Sequence, residues 1–362
     1  MIHLPDEWIW KPLPPDAEIE TTAVLRATIS AQQYLAELKG ISQTMPNQTI
    51  LLSTLPLQEA RDSSEIENIV TTQDALFKSQ LLKESVTDQA TKEVSRYAAA
   101  LEEGFRLIKK DGLLTIRHII AIQKILEDNQ AGIRALPGTH LSNPATGEIV
   151  FVPPQHKDDI TKALANLEQF INDDEMSRLH PLIKMAIIHY QFESIHRFYD
   201  GNGRTGRIIN MIYLVKQELL DIPILYLSRY IVQNKPDYYR LLQRVRTDED
   251  WESWLIFMLK GVAETSRDTI RVITGMRDLM KTYKLGIRQQ FPFYSQDLIN
   301  HLFRHPYSKI SHLQRDLKVS RPTAAKYLEE LSQAGYLTKS KEGRENYYFN
   351  GRLLRILSGE PV

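Results

Sequence analysis

His196-Arg197-Phe198-Tyr199-Asp200-Gly201-Asn202-Gly203-Arg204-Thr205-Gly206-Arg207 is the stretch on which the reading of this chain turns. An apolar-periodic segment precedes it, with Pro181 suited to a first helical turn and Ile183, Ala186, Ile187 and Tyr190 facing inward. Another follows, carrying Ile208, Ile209, Ile212 and Leu214. Asp200–Arg204 therefore reads as a glycine-containing loop that feeds a helix N-terminus. Such a terminus presents unpaired N–H groups and the positive end of a dipole to an anion. Gly201 and Gly203 let backbone approach phosphate oxygens and adopt positive φ. Asn202 both donates and accepts hydrogen bonds. Arg204 and Arg207, three apart on one helix face, suit successive phosphates as guanidinium forks. Asp200 offers a hard oxygen to Mg²⁺, and His196 has the unperturbed pKa of a base that works near neutrality. Phe198 is expected to point into the core and fix the loop.

These twelve residues resemble the signature of the Fic family, His-x-Phe-x-(Asp/Glu)-Gly-Asn-Gly-Arg-x-x-Arg, and match it at every specified position. Arg197 stands where many members carry proline. The resemblance implies a protein adenylyltransferase that uses ATP and Mg²⁺. In it His196 deprotonates a Ser, Thr or Tyr hydroxyl of a target protein, which attacks the α-phosphorus as pyrophosphate leaves. Asp200 holds the Mg²⁺, Asn202 and the Gly201 and Gly203 backbone cradle the phosphates, and Arg204 and Arg207 neutralise the leaving group. Relatives of the signature also transfer UMP, phosphocholine or phosphate; the full Asn202 and Arg207 set favours AMP.

Upstream, Ser63-x-x-x-Glu67-Asn68 resembles the family's inhibitory motif, (Ser/Thr)-x-x-x-Glu-(Gly/Asn). On pattern alone it is a solvated helix face with Ile66, Ile69 and Val70 inward. Beside the signature, the resemblance implies that Glu67 pairs with Arg207 and blocks productive ATP binding. In some relatives the same glutamate is linked to removal of AMP, so a de-AMPylase stays open. Gly132 to Pro154 reads as a short hairpin with a β-prone run at Glu148, Ile149, Val150, Phe151 and Val152. The resemblance makes it a flap that pairs with an extended target segment. Tyr238 and Tyr239 are candidates to stack on adenine, or else core aromatics.

The expected fold is mainly α: a Fic-type helical bundle with a short β-hairpin flap, plus a C-terminal winged helix-turn-helix. Residues 1–90 form an N-terminal segment with the inhibitory helix, 91–285 the catalytic core, and 286–362 the winged-helix module. Helical patterns run near 21–40, 57–79, 93–110, 115–128, 158–172, 181–195, 205–219 and 250–285, and Pro46, Asn47 and Pro56 mark a loop. The proline-bearing start (Pro5, Pro12, Pro14, Pro15) reads as an extended arm. In the module, Ile310, Leu313 and Leu317 make one apolar face, and Ser320 caps the next helix with Pro322 in its first turn. Ala324, Tyr327, Leu328 and Leu331 form that helix's buried side, and Gly335 ends it. A polar tip (Lys339, Lys341, Gly343, Arg344) beside Tyr347, Tyr348 and Phe349 suits a wing.

With 45 Lys+Arg against 45 Asp+Glu, no global field points to nucleic acid or membrane. Residues 291–362 carry 11 basic against 7 acidic residues, a surplus of +4, and Arg321, Thr323 and Lys326 begin the second helix of the module. A DNA-binding regulator with a nucleotide-sensing core is therefore one alternative; an interaction or dimerisation module is the other. The absence of cysteine excludes disulfides and thiolate chemistry and fits a reducing cytoplasm. The N-terminus lacks the pattern of a signal peptide, and no apolar run is long enough for a membrane span. A metal hydrolase built on His189, Glu193, His196 and Asp200 is a further enzyme alternative, although no recognised zinc pattern is present. The resemblance also allows a homodimer.

Overall fold

The computed structural model describes residues 9–81, 88–142, 146–342 and 345–359. Pro5, Asn143, Pro144, Gly343 and Arg344 lie outside them. In chain order the N-terminal elements are α1 (Thr22–Gln43), α2 (Thr49–Ile66), α3 (Gln73–Leu81), α4 (Gln89–Asp111) and α5 (Ile116–Glu127). The strands β1 (Leu141–Ser142) and β2 (Ile149–Phe151) follow, then α6 (Lys157–Asn172), α7 (Pro181–Ile195), α8 (Asn202–Lys216), α9 (Leu227–Gln233), α10 (Lys235–Asp248) and α11 (Trp251–Gln290). The C-terminal part holds α12 (Gln296–Arg304), β3 (Tyr307–Ser308), α13 (Ile310–Leu317), α14 (Arg321–Gln333), β4 (Thr338–Glu342), β5 (Glu345–Phe349) and α15 (Gly351–Ser358).

α7 and α8 form the centre. The sequence suggests one inward face for α7, but the helix is buried nearly all round, with Lys184, His189 and Gln191 as well as its aliphatic residues out of water. A helix apolar on most sides can only be satisfied in the middle of a bundle. α4 covers α8, α6 covers α7, α5 lies on α4, and α1 runs along the 40-residue α11. Trp254 of α11 donates its indole N–H to the Ala186 carbonyl at 3.0 Å and tethers α7 to that long helix.

Two expectations are corrected in the N-terminal region. Pro56 does not mark a loop. It sits inside α2 and is buried, so the helix tolerates its missing N–H where packing holds the chain in place. The pattern at 57–79 is two helices, because α2 stops at Ile66. Asn68 turns left-handed (φ 62°), its N–H bonds Glu65 O at 2.9 Å, and Ile69 N–H bonds Ser64 O at 3.0 Å. This paired closure is a Schellman motif, and it is why Asn can stand where Gly would serve.

α11 runs through residue 285 without a break, so the chain passes from core to C-terminal module inside one helix. In the module Ser320 caps α14, with its hydroxyl accepting from Thr323 N–H, while Ala324, Leu328 and Leu331 are buried. β3, β5 and β4 form an antiparallel sheet in that order, with Tyr307 opposite Phe349 and Thr338 opposite Phe349 on its other side. α15 returns to α11, and Gln58 of α2 donates to the Leu357 carbonyl at 2.7 Å. No described helix is long and apolar enough to cross a membrane.

Candidate active site

α7 ends because His196 turns left-handed (φ 46°, ψ 54°) while its N–H still bonds Phe192 O at 3.2 Å. The chain then reverses around Phe198, which is fully buried beside Phe192. Asn202 closes the reversal: Oδ1 accepts the Phe198 N–H at 2.9 Å and Nδ2 donates to the Phe198 carbonyl at 2.8 Å. Asn202 thus shapes the loop by bonding the Phe198 backbone at both of its polar ends. Gly201 starts α8 at φ 76°, a conformation that suits glycine. Gly203 is held by close approach, since a Cβ there would overlap Glu67 Oε1 and lie 2.9 Å from Arg207 Nη1.

Arg207 is buried, and its guanidinium is matched on three sides. Nε donates to Ser63 Oγ at 2.7 Å, and Nη2 donates to the Ser63 carbonyl at 2.9 Å and to Glu67 Oε1 at 2.8 Å. α2 delivers both partners: Ser63 from its last full turn, Glu67 from its C-cap. Burial pushes the Glu67 carboxyl upward, but the charge and hydrogen bond of Arg207 outweigh it and leave the pKa below the usual glutamate value. The same partnership holds Arg207 above its ordinary value despite its burial.

Arg204 departs from expectation. It is buried, with Nη2 on Glu127 Oε1 at 2.8 Å and Nη1 3.5 Å from Glu93. Two carboxylates already neutralise it, so it anchors the loop to α4 and α5 rather than facing a phosphate beside Arg207. Asp200 stays open to solvent, its Oδ1 accepting the Gly201 N–H at 2.6 Å and lying 4.0 Å from Arg204. That leaves an outward carboxylate at the loop tip, the donor type Mg²⁺ takes.

The His196 imidazole is half-buried, and its Nδ1 is a buried atom without a hydrogen-bond partner among the described residues. Burial, with the positive charges of Arg134 and Arg246 behind it, lowers its pKa to about 4. The ring is therefore neutral at neutral pH and holds a lone pair ready for a proton. Arg197 is also buried, its guanidinium 4.1 Å above the Phe198 ring, and burial lowers its pKa to about 9.

Sequence reasoning missed Arg134. Its Nε donates to the His196 carbonyl at 2.7 Å, Nη2 donates to the Pro154 carbonyl, and its own N–H bonds the Arg197 carbonyl at 2.9 Å. It thus clamps the His196 turn to the base of the hairpin. Arg246 was missed too; it covers the Phe151 ring at 3.9 Å. No local pattern marks either residue, since both act across long sequence separations. The hairpin itself forms, with Leu141 opposite Phe151 and Ser142 opposite Ile149; Glu148 and Val152 flank the strand, and Val150 is exposed.

Tyr238 is corrected as an adenine contact. It is buried, its hydroxyl 2.8 Å from His189 Nε2 and its ring against Trp254. Only Tyr239, packed edge-on against it, keeps an exposed face. The metal-hydrolase alternative is corrected as well. His189 is spent on Tyr238 and Asn210, and His189, Glu193, His196 and Asp200 do not converge as ligands among the described residues.

Residues 25–106 match the profile "Fic/DOC family N-terminal", residues 113–214 "Fic/DOC family", and residues 279–353 "Protein adenylyltransferase SoFic-like, C-terminal domain". The chain belongs to the Fic/DOC family. The Fic loop at Asp200–Arg204 and its neighbours lie inside the second match. "Protein adenylyltransferase Fic" of Drosophila erecta is 35% identical over 63 residues, 17% of this chain and 13% of that protein. The Drosophila yakuba protein is 37% identical over 65 residues, 18% and 13%. The chain thus spans 13% of the length of these curated relatives.

Among solved structures, a Fic family protein from Desulfovibrio desulfuricans G20 superposes with a TM-score of 0.57 at 20% identity, over 94% of this chain and 99% of that one. A Fic domain containing signaling protein from Bacteroides thetaiotaomicron gives 0.54 at 17% identity, over 70% and 97%. These two likenesses concern the fold.

Proposed function

We propose that this Fic-family chain is a protein adenylyltransferase that moves AMP from ATP to a side-chain hydroxyl of a target protein, and that Glu67 holds it in check. One observation carries the reading: the Glu67 carboxylate lies against Gly203 and on Arg207, inside the cradle at the start of α8. A carboxylate oxygen there stands in for a phosphate oxygen, so the cradle accepts an anion of that size and charge, and it is already filled.

With Glu67 withdrawn, Arg207 and the free N–H groups of the first α8 turn bind the triphosphate tail. His196 takes the proton from the target hydroxyl. The hydroxyl oxygen bonds to the α-phosphorus, the bond to the bridging oxygen breaks, and pyrophosphate leaves with its electron pair. Mg²⁺, when bound, shields the phosphate charge, and Asp200 is the residue that would hold it. Arg134 keeps the His196 turn in register with the hairpin, whose exposed strand aligns an extended target segment. Most of the catalysis is then positioning and electrostatics.

Labelled nucleotide tests this. Incubation of the Glu67→Gly variant with ATP should transfer label from the α position and none from the γ position to protein. Label arriving from γ would refute AMP transfer. A second reading, removal of AMP, draws on the partly exposed Glu67 carboxylate, which can also face a water; release of AMP from a pre-labelled target by the unmodified chain, lost in Glu67→Gly, would establish it. In the C-terminal module, which we read as a winged helix, Arg321 and Lys326 are exposed at the start of α14. Salt-dependent binding to duplex DNA separates DNA contact from a role in protein association. The same preparation, run by size exclusion, reports whether the chain forms a homodimer; a cytoplasmic site of action accords with the lack of cysteine.

A further inference from the structure

Far from the Fic loop, the corner between α12 and α13 gathers three histidines and one carboxylate. His301 and His305 are four apart, at the end of α12 and at its C-cap; His312 and Asp316 are four apart on α13. Both spacings place the two side chains on one helix face. The turn through β3 brings the two pairs together. His301 Nδ1 is 2.8 Å and His305 Nε2 3.3 Å from the same oxygen, Asp316 Oδ2. Among the described residues, these three form the one group of His, Cys, Asp or Glu side chains whose ligand atoms converge within 4.8 Å.

We propose that this corner is a binding site for a divalent transition-metal ion such as Zn²⁺ or Co²⁺, with His301 Nδ1, His305 Nε2 and Asp316 Oδ2 as ligands and His312 as the residue placed to complete the set.

The hydrogen bonds left unmade point the same way. His305 Nε2 and His312 Nδ1 are buried atoms with no hydrogen-bond partner among the described residues, although His305 Nε2 lies within ion-pair range of Asp316. Buried polar atoms are rarely left in that state, and two from neighbouring rings 5.9 Å apart call for one shared partner. The support around the ligands is also that of a metal site. His301 Nε2 is 3.0 Å from Ser308 Oγ, so its other ring nitrogen is the one presented to the corner. Arg315 Nε holds Asp316 Oδ1 at 3.0 Å, which orients the carboxylate and leaves Oδ2 facing the imidazoles.

A metal at about 2.0–2.1 Å from each donor sets ligands roughly 3.3 Å apart. The His305–Asp316 pair is already there, and the His301–Asp316 contact needs to open by about half an ångström. Nitrogen-rich donors with one carboxylate suit Zn²⁺ or Co²⁺ and not Mg²⁺ or Ca²⁺. The positive charges of Arg304, Lys309 and Arg315 face the same corner and oppose a cation. The carboxylate and the imidazole nitrogens must outweigh them, which favours an ion that binds imidazole strongly. Entry is open: His305, His312 and Arg315 line a groove of about 1380 Å³ between α2, α4 and the module.

Calorimetry of the full chain, stripped with chelator and then saturated with Mg²⁺, should show one Zn²⁺ bound per chain. Co²⁺ in its place should give the visible bands of a tetrahedral imidazole site. His305→Gln and Asp316→Asn should each weaken Zn²⁺ binding on the order of 100-fold or more, and His312→Gln by about tenfold. His196→Ala should leave it unchanged, which separates this site from the Fic loop; the proposal stands whether or not the chain transfers AMP. Absence of stoichiometric binding, absence of the Co²⁺ bands, or unchanged affinity in His305→Gln would overturn it, as would loss of binding in His196→Ala. Should the variants fail to fold, the Co²⁺ spectrum of the unmodified chain decides alone.

Discussion

The start of α8 and the corner of α12 and α13 both bury ionisable side chains at helix ends, and they satisfy them in opposite ways. At α8 the buried Arg207 makes three hydrogen bonds, and its charge is met by Glu67, a residue from another element. At the corner, two imidazoles share one carboxylate, and the ring nitrogens His305 Nε2 and His312 Nδ1 make no hydrogen bond among the described residues. A partner that belongs to the protein and sits on a separate helix can be exchanged for a ligand. Donors that lack a partner can only gain one. On the proposed function the first arrangement works as a lock; the second is where an ion is proposed to bind.

The sharpest way to break the first half of this comparison is to remove the base. In a Glu67→Gly background, His196→Ala should lower AMP transfer by about 10²–10⁴-fold while nucleotide binding persists in a filter assay. Retained activity would remove His196 from the chemistry. Next comes the lock. Charge-assisted hydrogen bonds contribute about 1.5–3 kcal/mol, so Glu67→Gly should raise transfer about 10–100-fold at saturating ATP. Arg207 keeps its two bonds to Ser63, so the melting temperature should fall by only a few degrees; an unchanged rate would show that the pair does not restrain the site.

Arg197 tests what a buried charge costs when no partner meets it. Its three guanidinium nitrogens are buried without hydrogen bonds among the described residues. Arg197→Met should therefore stabilise the fold, by about 1–3 kcal/mol in denaturant unfolding. Destabilisation would mean that stacking on Phe198 outweighs desolvation. The smallest effect is a titration. The folded pKa of His196, about 4, lies below the ordinary value of about 6.5, so the unfolded chain binds the extra proton first. This residue's contribution is fully present above about pH 6.5 and is lost as pH falls toward 4. NMR should show the His196 ring titrating near 4 in the ligand-free protein, and a value near 6.5 would contradict the burial described here.

Much of this was legible in the sequence because it is local. The twelve residues from His196 to Arg207 specify a helix end, a glycine turn and a helix start, and each of those rests on interactions a few residues apart. Ser63, Glu67 and Asn68 stand out through the resemblance alone; the Schellman closure that presents Glu67 is not read from the sequence, and the pattern at 57–79 runs on through it. Phe198 could be assigned to the core because, two residues past His196, it can point the other way, and it is fully buried.

What the sequence could not decide was which partner each polar side chain finds. Asn202 bonds the Phe198 backbone, Arg204 lies on Glu127 and near Glu93, and Tyr238 meets His189, partners that residue type alone does not name. Arg134 reaches the His196 turn from 62 residues away. The α12–α13 corner exists only because β3 folds two helical pairs onto each other. Residue type and spacing determine which bonds a side chain is able to make. Burial then decides among them, because a polar atom out of water takes the partner that packing brings within reach.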